Sequence, residues 1–99
     1  MNLYIANLTN ADMFGAHLTK ANLSEAFLEG SNLQRADFMQ ADLSEANLMG
    51  AKLSETNLMG ANLQGAEVDI EELGRAITDE DTILPDGSKG PFRRKDQEK

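Results

Sequence analysis

A large apolar residue recurs at every fifth position, at Leu3, Leu8, Met13, Leu18, Leu23, Leu28, Leu33, Phe38, Leu43, Leu48, Leu53, Leu58, Leu63 and Val68. Two residues before each of these centres stands a small residue: Ala6, Ala11, Ala16, Ala21, Ala26, Ser31, Ala36, Ala41, Ala46, Ala51, Thr56, Ala61 and Ala66. Only the first unit departs, with Met1. A five-residue step advances an α-helix by about 500°, so successive centres scatter around its circumference. On a straight strand the same odd step sends them to opposite faces. Neither element gathers them into one core. The spacing suits a short extended piece followed by a corner, because residues two apart share a face and the corner turns the next pair inward.

The other positions agree with this reading. Asn or Asp precedes many centres, as at Asn7, Asp12, Asn22, Asn32, Asp37, Asp42, Asn47, Asn57 and Asn62. Gly15, Gly30, Gly50, Gly60 and Gly65 occupy corner positions, where tight turns favour glycine. The chain therefore winds as a solenoid with Leu and Ala along its axis and backbone ladders between coils. A longer period of twenty shows in "ANLSEAFLEG" at 21–30, which returns as "ADLSEANLMG" at 41–50.

These units resemble the pentapeptide-repeat family, whose motif is A(D/N)LXX, over residues 1–70. In that family four units make one turn of a right-handed square β-helix. The resemblance implies an all-β solenoid whose fourteen units make about 3.5 coils, roughly 17 Å long at the inter-strand spacing. The centres and the small positions correspond to the family's two inward positions.

The five-residue phase is expected to end after Val68. In "VDIEELGRAI" the apolar residues Val68, Ile70, Leu73 and Ile77 suit a short amphipathic capping helix, with Asp69 as its cap and Glu71 and Glu72 at its positive end. Ile83 and Leu84 are expected to fold back on that helix, with a turn at "PDG". The expected divisions are 1–70 for the β-helix, 71–90 for the capping helix and fold-back loop, and 91–99 for a charged, disordered tail. Similar closing tails occur in many bacterial members of the family.

Composition narrows the function. The chain has 99 residues and no cysteine, so disulfides, thiolate metal sites and cysteine nucleophiles are excluded. Its charge of −8 argues against direct binding to a nucleic-acid backbone. No apolar run reaches the roughly 20 residues that span a bilayer, and the N-terminus lacks the pattern of a signal peptide. A cytoplasmic protein is expected. No P-loop, GxGxxG, HExxH or GxSxG occurs. At a period of twenty His17 falls beside Asp37, but the nearest hydroxyl, Thr19, lies on a flat outer face without a cleft. Glu25 beside Glu45 supplies too few oxygens for a cation. No enzyme, cofactor or metal is expected.

The expected function is a non-enzymatic interaction or structural scaffold with a protein partner. Two surfaces are candidates. Leu3, Tyr4, Ile5 and Leu8 surround the open end of the first coil, where unpaired edges favour a weak head-to-head homodimer. Met39 and Met59 stack in one column and form an adaptable apolar contact. The alternative is an acidic DNA mimic that modulates a gyrase-type topoisomerase, as some longer family members do. Residues 1–70 carry nine acids against Lys20, Arg35 and Lys52, a net of six. Duplex DNA of the same length carries about ten charges, so the mimicry is sparse.

Overall fold

The structure, a computed structural model, describes residues 1–92. The expected tail therefore lies outside the described residues from position 93 onward. Parallel bridges join positions twenty apart, from Asn2–Asn22 through Asn47–Glu67. Each extended piece is only one bridged residue long, because a corner follows at once. Among the described residues the one helix, α1, spans Ile70–Leu73.

The corners explain the period. At all thirteen corner positions from Ile5 to Gly65 the backbone is left-handed, with φ between 59° and 78°. Each corner is the third residue of a β-turn in which the centre's carbonyl accepts the N–H three residues on, as from Ala46 to Leu43 at 3.1 Å. A positive φ at this third position characterises the type II turn.

Backbone accounting shows why Asn and Asp precede the centres. In the coil running through Leu43, the N–H of Leu43 donates to Asn62 (2.7 Å) and that of Glu45 to Gln64 (2.9 Å). Neither the coil ladder nor the turn uses the N–H of the residue between them. That group donates instead to the side chain two residues back, as from Ser44 to Oδ1 of Asp42 at 3.0 Å. The same bond forms at Asn2, Asn7, Asp12, Asn22, Asn32, Asp37, Asn47, Asn57 and Asn62. These are Asx turns, and they leave fewer donors unpaired.

The core follows from the inward positions. Leu23, Leu43 and Leu63 stack along one side of the axis, and Ala21, Ala41 and Ala61 lie beside them, all buried. Phe38 replaces leucine in the column of Leu18 and Leu58 without becoming exposed. Two polar residues take small inward positions with their hydroxyls satisfied. Ser31 donates to the carbonyl of Leu28 (2.7 Å), and Thr56 to that of Leu33 (2.6 Å).

The C-terminal segment departs from expectation in four ways. First, α1 is four residues long, and Ile70 and Ile77 stand 63% and 45% exposed, so neither builds an apolar helical face. The reason is register. Ile77 occupies the outward bridging position of its column and pairs with Asn57, whereas Leu73 inherits the inward position of Leu53 and is buried. Second, coil-like pairing outlasts the five-residue pattern: Ile77 still pairs with Asn57, and Ile83 rejoins the coil beside Asn62. Third, Ile83 pairs with Asn62 of the last coil and with Lys89, and only Leu84 reaches the helix, lining a cavity with Ile70 and Leu73. Fourth, the Asp69 side chain makes no capping bond to α1.

Asp69, Glu72 and Asp79 do something else. The N–H groups of Gly50, Leu53 and Gly60 would each meet a carbonyl nineteen residues on if another regular coil followed. A carboxylate stands in its place: Asp69 takes Gly50 (3.3 Å), Glu72 takes Leu53 (2.9 Å) and Asp79 takes Gly60 (3.1 Å). The three side chains end the ladder without leaving those donors open, which is how an exposed edge is blunted.

Two substitutions test this architecture. Leu43→Ala should cost about 2–5 kcal/mol in a urea melt, as buried leucines do, while Ser44→Ala, facing outward, should stay within about 0.5 kcal/mol. Thr82 is buried, with its hydroxyl 2.8 Å from the Leu58 carbonyl and 3.0 Å from the Asp79 N–H. Thr82→Val should cost about 1–3 kcal/mol, because the Asp79 N–H loses its partner, while the Leu58 carbonyl keeps only the Ala61 N–H. Equal melts for Leu43→Ala and Ser44→Ala would refute the register.

Candidate functional site

The outward side chains form a lattice of columns on a backbone whose corners and Asx turns fix their spacing. His17 and Asp37 are bridged neighbours, as the twenty-residue period requires. Among the described residues no three His, Cys, Asp or Glu side chains gather as a metal site, and no helix is long and apolar enough to cross a membrane.

Around the first coil Leu3 and Leu8 are half-buried, while Tyr4 and Ile5 are 51% and 47% exposed. The N–H groups of Asn7, Asp12 and His17 have no hydrogen-bond partner among the described residues. Ile5 is unusual in a second respect. It holds φ at 61°, and it is the one β-branched residue among the left-handed corners. A side chain branched at Cβ is a rare occupant of that region, at a cost of about 1–2 kcal/mol.

Met39 and Met59 lie in one column, both half-buried, and with Gln40, Gly60, Asp79 and Asp81 they line a groove of about 270 Å³. Gly60 leaves this groove open, since a Cβ there would stand 3.1 Å from Cγ of Gln40. Met49 is exposed but belongs to the opposite face, two units away. Sequence reasoning brought the two methionines together and missed the acidic end that Asp79 and Asp81 contribute. The nineteen-residue offset between Gly60 and Asp79 was the available signal.

A second groove, of about 410 Å³, lies between Phe14, Gln34, Arg35, Ser54 and Glu55. Arg35 pairs with Glu55 at 2.7 Å and sits 6.0 Å from the exposed Phe14 ring. This ion pair follows a column across two coils, so it supports stacking more directly than it offers a free charge.

Burial alone would push the Asp79 carboxyl up, but hydrogen bonds from Gly60, Thr82 and Asp81 outweigh it and hold its pKa below the ordinary 3.8. The Ser88 hydroxyl and N–H lower Asp86 in the same way. A carboxylate with a depressed folded pKa contributes stability that is present above its unfolded pKa and lost as pH falls through the folded one. The C-terminal segment should therefore loosen below about pH 4, near the unfolded carboxylate value. In acid melts Asp79→Asn should show a shallower loss than the wild type, and identical slopes would count against this role.

Comparison with known proteins places the fold. A profile described as "Pentapeptide repeats" matches in 8 copies over residues 6–44 and 26–65. The solved pentapeptide-repeat protein from the cyanobacterium Cyanothece 51142 is 37% identical with a TM-score of 0.78, covering 84% of this chain and 56% of its own. HetL from Nostoc sp. strain PCC 7120, a pentapeptide-repeat protein involved in heterocyst differentiation regulation, is 28% identical with a TM-score of 0.58, covering 90% and 53% respectively. A pentapeptide-repeat protein of the Arabidopsis thaliana thylakoid lumen, at 22% identity and TM-score 0.54, shares the fold over 92% of this chain and 67% of its own. The chain thus spans little more than half the length of the two cyanobacterial structures. No curated protein matches it. The fivefold spacing, the left-handed corners and these likenesses agree: the chain belongs to the pentapeptide-repeat family and folds as a right-handed β-helix.

Proposed function

We propose that this chain is a non-enzymatic interaction scaffold, with residues 1–70 forming about 3.5 coils of a square β-helix and residues 71–90 closing one end. The observation that carries the reading is Ile5. A β-branched residue at φ 61° with its side chain half exposed contributes strain and little burial. The fold requires a left-handed corner here but not a β-branched residue in it, and strain kept without a folding need points to a functional constraint. With Leu3, Tyr4 and Leu8 it forms an apolar rim beside the open N–H groups of the first coil. A further coil, a partner strand or a second copy of this chain would each pair that edge. For two copies, a two-fold head-to-head contact hides both edges and continues the core, as a weak homodimer of small footprint.

The distribution of acids weighs against DNA mimicry. Glu25 and Glu45 share a corner column, Glu29 and Asp69 belong to another face, and Asp12, Glu55 and Asp37 lie on the remaining two. A duplex would call for denser charge in continuous rows. No gyrase inhibition is expected in a supercoiling assay.

The direct test is Ile5→Asn, since Asn tolerates the left-handed corner as Asn10 does one unit later. Sedimentation equilibrium should show concentration-dependent mass for the wild type and a monomer for the variant. The variant should melt no lower than the wild type. A wild type that remains monomeric throughout would overturn the self-association.

A further inference from the structure

The Met39–Met59 groove is polar along its length. One end carries Asp79 and Asp81, with the exposed Glu80 between them in sequence. The carboxylates of Glu80 and Asp81 make no ion pair among the described residues. Beyond the other end, outside the lining, Lys20 occupies the corner one coil below Gln40, its N–H donating to the carbonyl of Met39 at 2.9 Å, and its ammonium is likewise without an ion pair among the described residues. Between the two charged ends lie two thioether side chains, which are soft and adaptable packing surfaces. The acidic end of the β-helix and Lys20 are separated by three coil spacings, about 14 Å. Four steps of extended chain cover about 13 Å, and alternate residues of such a segment face the same way.

We propose that this groove docks a short extended segment of a partner protein that presents an acidic, an apolar and a basic side chain at alternate positions. The basic group meets Asp81 and Glu80, the apolar one lies over Met39 and Met59, and the acidic one meets Lys20. A second copy of this chain is a poor occupant, because its net charge of −8 opposes approach to the carboxylate end. The proposal rests on the scaffold reading and names the chemistry of its partner.

The 5 methionines allow a direct measurement. Protein with 13C-labelled methionine methyl groups is titrated with acetyl-Glu-Ala-Leu-Ala-Arg-amide, with the charge-swapped Arg-Ala-Leu-Ala-Glu peptide, and with a neutral Gln-Ala-Leu-Ala-Gln peptide. The first peptide should shift the Met39 and Met59 methyl signals saturably and leave Met49 in place. The other two should bind more weakly, and added salt should narrow the difference. Asp81→Lys, which removes no backbone bond, should weaken the first peptide about fivefold, the upper range for an exposed pair. Its amide spectrum should stay native. Equal shifts from all three peptides, or shifts at Met49 alone, would overturn the polarity of the groove. No shift with any of them would overturn the docking site. The scaffold reading is tested separately by the sedimentation of Ile5→Asn, so either can fail while the other stands.

Discussion

Every feature of this molecule depends on the chain returning to hydrogen-bond with itself after twenty residues. Two donors from each five-residue unit reach the following coil, as those of Leu43 and Glu45 reach Asn62 and Gln64. A return of that length requires four corners, and each corner requires a left-handed residue. Most of the corner residues are not glycine, so the ladder and the buried column of leucines must outweigh the local cost at Lys20, Glu25, Arg35, Gln40, Glu45 and Glu55. Stacking supplies what no single coil could. An isolated coil would bury neither face of its leucines, whereas Leu43 lies between Leu23 and Leu63.

The same ladder creates an end problem, and the two ends treat it differently. At the C-terminal side Asp69, Glu72 and Asp79 place carboxylates where another coil would place carbonyls. Glu72 also holds Arg75 at 2.6 Å, which ties the end of α1 to the residue that follows its cap. Where these three bonds are made by side chains the backbone is free to leave the square path, while Glu55, Leu58, Leu63 and Gly65 still donate to backbone carbonyls of the closing segment. Around the first coil no comparable carboxylates meet the open donors of Asn7, Asp12 and His17 among the described residues. Apolar residues surround that edge instead. The asymmetry is chemical: carboxylates meet outgoing donors of the last coil, whereas the N–H groups of Asn7, Asp12 and His17 meet none among the described residues.

Rigidity also shapes what the surface can do. With the corners and Asx turns setting every outward position, the faces are flat and ruled into columns. Flat columns disperse functional groups, and His17, Asp37 and Thr19 do not enclose a substrate-sized cleft. The same ruling makes recognition by spacing natural, because charges and methionines recur at multiples of one coil. Two breaks in the lattice matter most. Gly60 removes a side chain beside Met59, and the turn containing Asp79 and Asp81 closes the groove that results.

By itself the sequence determined the solenoid. A period of five excludes helix and strand, and the small-to-large spacing of two assigns the inward face; that Leu23, Leu43 and Leu63 share one column was what the family resemblance, with its four units per turn, implied. The Asx turns were legible in principle as well, since Asp42 and Ser44 are local neighbours. Tertiary structure decided the C-terminal segment. Ile70 and Ile77 look apolar and helical in isolation, yet the columns above them were already set, and Ile77 had to take the outward place beside Asn57. The acidic end of the methionine groove was likewise invisible locally, because Met39, Met59 and Asp79 meet only when coils stack. Local periodicity reports which way each side chain points. Only the long-range ladder determines which columns meet, and where the last donors find a partner.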